Sequence, residues 1–408
     1  MTNTRIQKIS FFLLKPESIL LLLILFLPQK NFFLYYGTLL PVLSFLIVYN
    51  YKRVVFQKKA LQIYLLWFMF LLIFILYKVF LYQNLFDIKE LLKVFLFLMI
   101  YITTVSLEKI ELEVLAKWLF VYIFIDFSIS ICQFMHIDLY IVELITNIYN
   151  ADKHVNISLS YASARTLGLS PGPGQHGIFS LLIFMFFIVS SVFGVTKKYK
   201  YLGAILALSS LILSQSKTVI LAFIISSIFL IIFIFLYKNN KYRLYLSIIF
   251  ISICLLLVYN FETMLLMFEQ FNRLRNVGLA TSSVMQRFDM WYAMYQAILD
   301  SNTFYFLFGA GRSYLTYMDV HNSFFDSDYV YIFVNYGFIG FLTYLLYIFI
   351  FLTKNTFRFN KIPLLLKILY MMILSGSIIA LSLSFIIDIK VLSLFAILYA
   401  LKSKLKES

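Results

Sequence analysis

Long uninterrupted apolar runs, separated by short clusters of lysine, dominate the chain. Twelve stand out: 11–28, 32–49, 61–82, 88–106, 114–135, 176–194, 200–214, 218–237, 243–260, 329–352, 363–383 and 385–401. The hydrocarbon core of a bilayer takes about 20 apolar residues per helix, and barrel strands would alternate instead, so these runs predict membrane-spanning helices. The expected architecture is an all-α polytopic membrane protein with about twelve transmembrane helices, built as a single integral membrane domain over 1–408. The first run resembles a signal peptide, but Lys15-Pro16-Glu17 interrupts it and no small-residue cleavage site follows Leu27. It therefore reads as an uncleaved first span.

Composition agrees. Of 408 residues, 62% are apolar and 13% charged, with a mean hydropathy of +0.91, which excludes an ordinary soluble enzyme and a disordered chain. The net charge of +15 raises the question of nucleic acid, and the placement of the basic residues answers it. Arg5, Lys8 and Lys15, then Lys52, Arg53, Lys58 and Lys59, then Lys197, Lys198 and Lys200, then Lys238, Lys241 and Arg243, then Lys354, Arg358 and Lys361, and finally Lys402, Lys404 and Lys406 all fall on one side of the runs. Lysine and arginine mark the cytoplasmic side, so both termini are expected in the cytoplasm and no nucleic-acid partner is needed. The 107–113 connection (LEKIELE) is acidic yet falls on that side; acidic residues count little in this rule. Cys132 and Cys254 lie in apolar runs, and no zinc spacing is present.

Two connections exceed what a helix turn requires: 136–175, with 40 residues, and 261–328, with 68. Both fall on the external side, and their aromatic and aliphatic residues at helical spacing predict short amphipathic helices. Five of the nine arginines (Arg165, Arg273, Arg275, Arg287 and Arg312) lie in these loops, against a single lysine, Lys153. The 261–328 loop carries four arginines against seven acidic residues, so the arginines are placed singly. Their planar donor forks suit discrete anionic groups such as a lipid diphosphate. Within the loop, 283–299 reads as an interfacial helix with a capping box from Ser283 and Gln286 and one face formed by Val284, Phe288, Trp291, Tyr295 and Ile298. Arg287 falls about 80° from the centre of that face, at lipid-phosphate depth or simply snorkelling.

His321, in His321-Asn322-Ser323-Phe324, has a side chain suited to take a proton from a hydroxyl nucleophile; the plainer reading is a polar residue at a span boundary. Asp326-Ser327-Asp328 matches the D-x-D pattern of nucleotide-sugar enzymes, but nucleotide sugars are cytoplasmic, so it reads as a polar span start. Gly309-Ala310-Gly311 and Gly172-Pro173-Gly174 are turns rather than nucleotide fingerprints. Lys217, after Ser214-Gln215-Ser216, is a second phosphate contact or a snorkelling lysine. Asp126 and Asp388 are the notable polar interruptions of the spans.

The stretch from Gly309 to Gly340, GAGRSYLTYMDVHNSFFDSDYVYIFVNYGFIG, resembles the O-antigen and capsular polysaccharide polymerases (Wzy type) and the related O-antigen ligases. Arg165-Thr166-Leu167-Gly168 before a Pro-rich turn, the S-x-S-[RK] pattern at Ser214 to Lys217, and Arg287 four residues before Trp291 agree with it. The resemblance implies a metal-independent, cofactor-free glycosyltransferase in the bacterial inner membrane. His321 would be its general base, and Arg165, Arg287, Lys217 and Arg312 would hold the diphosphate of an undecaprenyl-linked oligosaccharide. Asn322 and Asp328 would support them. Lys217 departs from the family's more usual arginine. The implied reaction is inverting transfer of the glycan to the next lipid-linked repeat unit, with a flippase and a chain-length regulator as partners. Two alternatives stay open: an O-antigen ligase acting on lipid A–core, and a twelve-span flippase or transporter.

Overall fold

The computed structural model describes residues 15–29, 32–50, 69, 72–82, 87–107, 109–137, 140–150, 165–194, 197–237, 282–318, 327–381, 383, 385 and 388–407. Among them every regular element is a helix. In chain order these are α1 (Pro16–Phe26), α2 (Phe32–Tyr49), α3 (Leu72–Tyr82), α4 (Ile88–Ser106), α5 (Leu112–Phe134), α6 (Tyr140–Tyr149), α7 (Pro173–Phe193), α8 (Lys198–Leu213), α9 (Lys217–Tyr237), α10 (Ser282–Leu299), α11 (Thr303–Phe308), α12 (Gly311–Tyr317), α13 (Asp328–Thr356), α14 (Leu364–Ile379) and α15 (Ile389–Glu407). Four of them, α5, α7, α9 and α13, are long and apolar enough to cross a membrane. The apolar run 243–260 lies outside the described residues, as do the Lys-rich stretch 51–59 and the residues Lys153, Arg273 and Arg275.

The centre of the bundle is α7. It packs on α8, α14, α9 and α5, while α4 joins α15 and α2. Its side chains Leu181, Leu182, Ile183, Met185, Phe186 and Phe187 are all sealed from solvent, so it is apolar around its whole circumference, as a helix surrounded by others should be. It starts at Pro173, three residues before the apolar run, because Gly172 is its N-cap and a proline at the first helical position gives up no hydrogen bond. α15 starts later than its run for a similar reason. Asp388 Oδ1 accepts the Lys390 and Val391 N–H groups at 2.9 and 3.1 Å, which makes this span interruption an N-cap.

The two ends of the bundle differ in chemistry. At the start of α5, Glu113 takes Lys197 Nζ at 2.7 Å and Lys200 Nζ at 3.1 Å. Lys404 Nζ bonds the Leu107 carbonyl at 2.5 Å. The acidic 107–113 connection and two of the lysine clusters therefore share one end, and the acid there is neutralised by the neighbouring loop. The opposite end, reached by the last turn of α5, carries the long connections.

The described parts of those connections are helical in part. α6 lies in the 136–175 loop, and α10, α11 and α12 form a lobe with its own core of Phe74, Met294, Ile298, Tyr305, Tyr314, Leu315 and Val334. The buried stripe of α10 is Met294, Ala297 and Ile298, whereas Phe288 and Tyr295 are exposed. This corrects the single apolar face read from the sequence: Met294, Ala297 and Ile298 grip the lobe, while Phe288 and Tyr292 are exposed and the exposed ring of Tyr295 meets Phe333. The helix also begins at Ser282, so Ser283 lies within it rather than capping it.

The 329–352 run is helical but not plain. α13 breaks at Gly337, with φ 67° and ψ −168°, a conformation open to glycine. A Cβ there would lie 2.4 Å from the Leu307 carbonyl carbon, and one at Gly309 would lie 2.4 Å from the Asn335 carbonyl. The Gly309 turn and the Gly337 break thus let two backbones touch, seating the lobe on the first turns of α13.

Candidate active site

Among the described residues, the 165–170 segment is a heavily braced non-helical stretch at the loop-bearing end. Gln133 Oε1, in the last turn of α5, accepts the Leu167 and Gly168 N–H groups at 3.0 and 2.9 Å. Asp126 Oδ1, two turns earlier, accepts the Leu169 N–H at 2.8 Å, and its Oδ2 lies 2.9 Å from His176 Nε2. His176 Nδ1 lies 3.2 Å from the Thr166 carbonyl. Asn150 Nδ2 donates to the Ser170 carbonyl at 2.5 Å, and Lys390 Nζ to the Leu169 carbonyl at 2.7 Å. α5, α7 and α15, together with Asn150 just after α6, thus converge on five consecutive residues. Gly168, with φ 50°, leaves room that a side chain would fill: a Cβ would stand 2.3 Å from Asp126 Oδ1.

This segment presents Arg165, which is half-buried. The Thr166 N–H donates to the Leu213 carbonyl at 3.2 Å, setting Arg165 against the 213–217 turn that leads into Lys217. That turn is tight, since buried Gln215 adopts a positive φ of 49°. The structure thus places Arg165 and Lys217 on adjoining turns, although 51 residues separate them in sequence.

Arg312 belongs to the lobe. Its backbone N–H donates to Asp87 Oδ1 at 2.9 Å, and Asp87 Oδ2 lies 3.6 Å from Lys78 Nζ, both side chains buried. The nearby Tyr305 hydroxyl meets that of Tyr82. Loss of solvent pushes the Tyr305 and Tyr314 hydroxyls above the ordinary tyrosine range, so both stay neutral.

For Arg287 the helix position alone is described. It precedes Trp291, Met294 and Ile298 of α10 by four, seven and eleven residues. Asp328 opens α13 and is buried. Its Oδ2 accepts the Phe385 N–H at 2.8 Å, and its own N–H donates to the Ala380 carbonyl. These bonds tie the start of α13 to the residues that follow α14. His321 and Asn322 lie outside the described residues, as does Asp326. A cavity of about 190 Å³ between α13, α14 and α15 is lined by Tyr344, Ile373, Phe385, Phe395 and Tyr399, among others. Among the described residues no group of three or more His, Cys, Asp or Glu side chains could hold a metal ion.

The bracing residues Gln133 and Asn150 carry no motif. Their signal in the sequence is positional: polar amides at the loop-side end of an apolar helix and just after a short amphipathic one. Asp126, His176 and Lys390 give the same signal more strongly, each being ionisable at or inside the edge of an apolar run.

Among the described residues every regular element is helical and four helices are long and apolar enough to cross a membrane, which points to a membrane protein. Residues 202–345 match the family model described as O-antigen ligase, Wzy_C. That segment takes in Lys217, Arg287, Arg312, His321, Asn322 and Asp328, and it bears out the resemblance read in the sequence. Arg165 lies before it. The match supports a polysaccharide-related glycan-transfer function. No curated protein matches the chain.

Proposed function

We propose that this protein is a polysaccharide polymerase that takes its glycan from undecaprenyl diphosphate, at the outer face of a bacterial inner membrane. In this reading the chain crosses about twelve times, with both termini in the cytoplasm and the two long loops outside. The observation that carries it is the rigid seat of Arg165 beside the turn leading to Lys217, two cations on one polar end of a membrane bundle. The apolar lining of the cavity below Phe385 suits a hydrocarbon chain.

The chemistry follows from charge development. A hydroxyl of the next lipid-linked repeat unit attacks the anomeric carbon, its proton passes to His321, and the bond to the diphosphate breaks. Negative charge grows on the departing diphosphate, where Arg165, Arg287, Lys217 and Arg312 stabilise it in a site of low dielectric. Asn322 supports His321, and Asp328 anchors the start of α13. A single displacement inverts the anomeric centre and needs neither metal nor cofactor. A flippase would supply the donor, and a chain-length regulator would set when growth stops.

The description of the matching family as O-antigen ligase favours a second reading, transfer to lipid A–core with the same donor. A polysaccharide ladder from a deletion strain separates them. Loss of long chains with single repeat units still attached to the surface supports polymerase. Long chains accumulating on the carrier lipid support ligase. Unchanged polysaccharide would refute both.

A further inference from the structure

Burying hydrogen-bonding and ionisable side chains in a membrane bundle is expensive, and an apolar core of equal volume is often at least as stable. The group formed by Asp126, Gln133, His176 and Lys390 therefore calls for a role beyond holding helices together. Its members share one target. Gln133 spends its single carbonyl oxygen on two successive N–H groups, those of Leu167 and Gly168. Its amide nitrogen is held in turn by Thr146 Oγ1 at 3.1 Å and Asn150 Oδ1 at 3.4 Å. The carboxamide is thus locked in orientation by α6 on one side and grips the 165–170 segment on the other. Asp126 and His176 close the segment from below, through the Leu169 N–H and the Thr166 carbonyl.

The segment has no regular secondary structure and could not satisfy these backbone groups by itself. Its shape is imposed from outside, and the residue that emerges from it is Arg165. A planar guanidinium binds a diphosphate well only when its fork is held at a fixed angle. We propose that Gln133 is a positioning residue for the donor diphosphate: it fixes the Leu167 and Gly168 N–H groups and thereby the direction of Arg165, with Asp126 and His176 bracing the same turn. This inference rests on the diphosphate-donor reading above.

The test compares two substitutions in the full-length protein reconstituted in nanodiscs. Gln133→Glu keeps an oxygen for both N–H groups, whereas Gln133→Met keeps the volume without an acceptor. Both lose the amide donors to Thr146 and Asn150, so a general weakening of the α5–α6 contact affects them equally. The readout is the preference for undecaprenyl diphosphate over undecaprenol, which cancels loss of folded protein and of tail binding. The expected result is that Gln133→Met lowers this preference about tenfold, the value of one displaced charge-assisted hydrogen bond, while Gln133→Glu stays near wild type. Equal preferences in all three proteins, or equal losses in both variants, would overturn the positioning role and leave the donor reading intact. No preference in the wild type would overturn the donor reading, and this inference with it.

Discussion

His176 Nε2 lies 2.9 Å from Asp126 Oδ2, with both side chains 1% exposed, and the other Asp126 oxygen caps the Leu169 N–H. One carboxylate therefore ties α7 to the 165–170 segment from within α5. Truncating one member of a buried polar pair strands the other, at a cost of about 3–5 kcal/mol. Asp126→Ala is expected to lower the thermal stability of the detergent-solubilised protein by that order. Asp126→Asn, which keeps an oxygen for Leu169, should lose clearly less. Equal effects would show that the Leu169 bond contributes nothing.

Gly168→Ala tests the same turn by its shape. A left-handed backbone costs a residue with a Cβ about 1–2 kcal/mol, and here the new Cβ would stand 2.3 Å from Asp126 Oδ1. The variant should therefore lose more stability than the backbone term alone, and lose glycan transfer while still inserting in the membrane. Normal transfer would contradict the fixed seat of Arg165.

The lobe rests on a second buried pair, Lys78 with Asp87, which also holds the Arg312 N–H. Asp87→Leu strands a buried ammonium and should destabilise by about 3–5 kcal/mol. Lys78→Met with Asp87→Leu should recover much of that loss. The comparison is read by thermal unfolding, and additive losses would argue against the pair.

The helices were largely legible in the sequence because apolar runs long enough for a bilayer leave little choice of backbone. Each run that is described, in whole or in part, contains a helix in its described part, including the short one at 200–214, which is α8. Boundaries moved where a cap decided them, at Pro173 and Asp388. The acidic 107–113 connection looked out of place only because its partners, Lys197 and Lys200, are more than 80 residues away. The site was legible in part. Arg165 and Lys217 were singled out by type, but their placement on adjoining turns involves a long-range backbone bond, from Thr166 to Leu213, that no local pattern encodes. Gln133 gave a positional signal, a polar amide at the end of an apolar run, but no motif pointed to its targets at Leu167 and Gly168. The face of α10 was misread because a helix gripping a lobe with one stripe and showing aromatics with another gives a single blurred periodicity.

The proposed topology is open to a labelling test. Single cysteines at 109 and 198, in a protein whose Cys132 and Cys254 are replaced, should resist a membrane-impermeant thiol reagent applied to intact cells. A cysteine at 316, on the exposed part of the lobe, should react. The reverse pattern would invert the proposed orientation.

The most direct measurement uses the purified full-length protein in liposomes with a synthetic undecaprenyl-diphosphate-linked repeat unit and a chelator present. Longer lipid-linked glycans and release of undecaprenyl diphosphate are expected, abolished in His321→Ala and strongly reduced in Arg165→Ala. Chain growth that persists undiminished in both variants, or that stops when metal is chelated, would contradict the proposed mechanism.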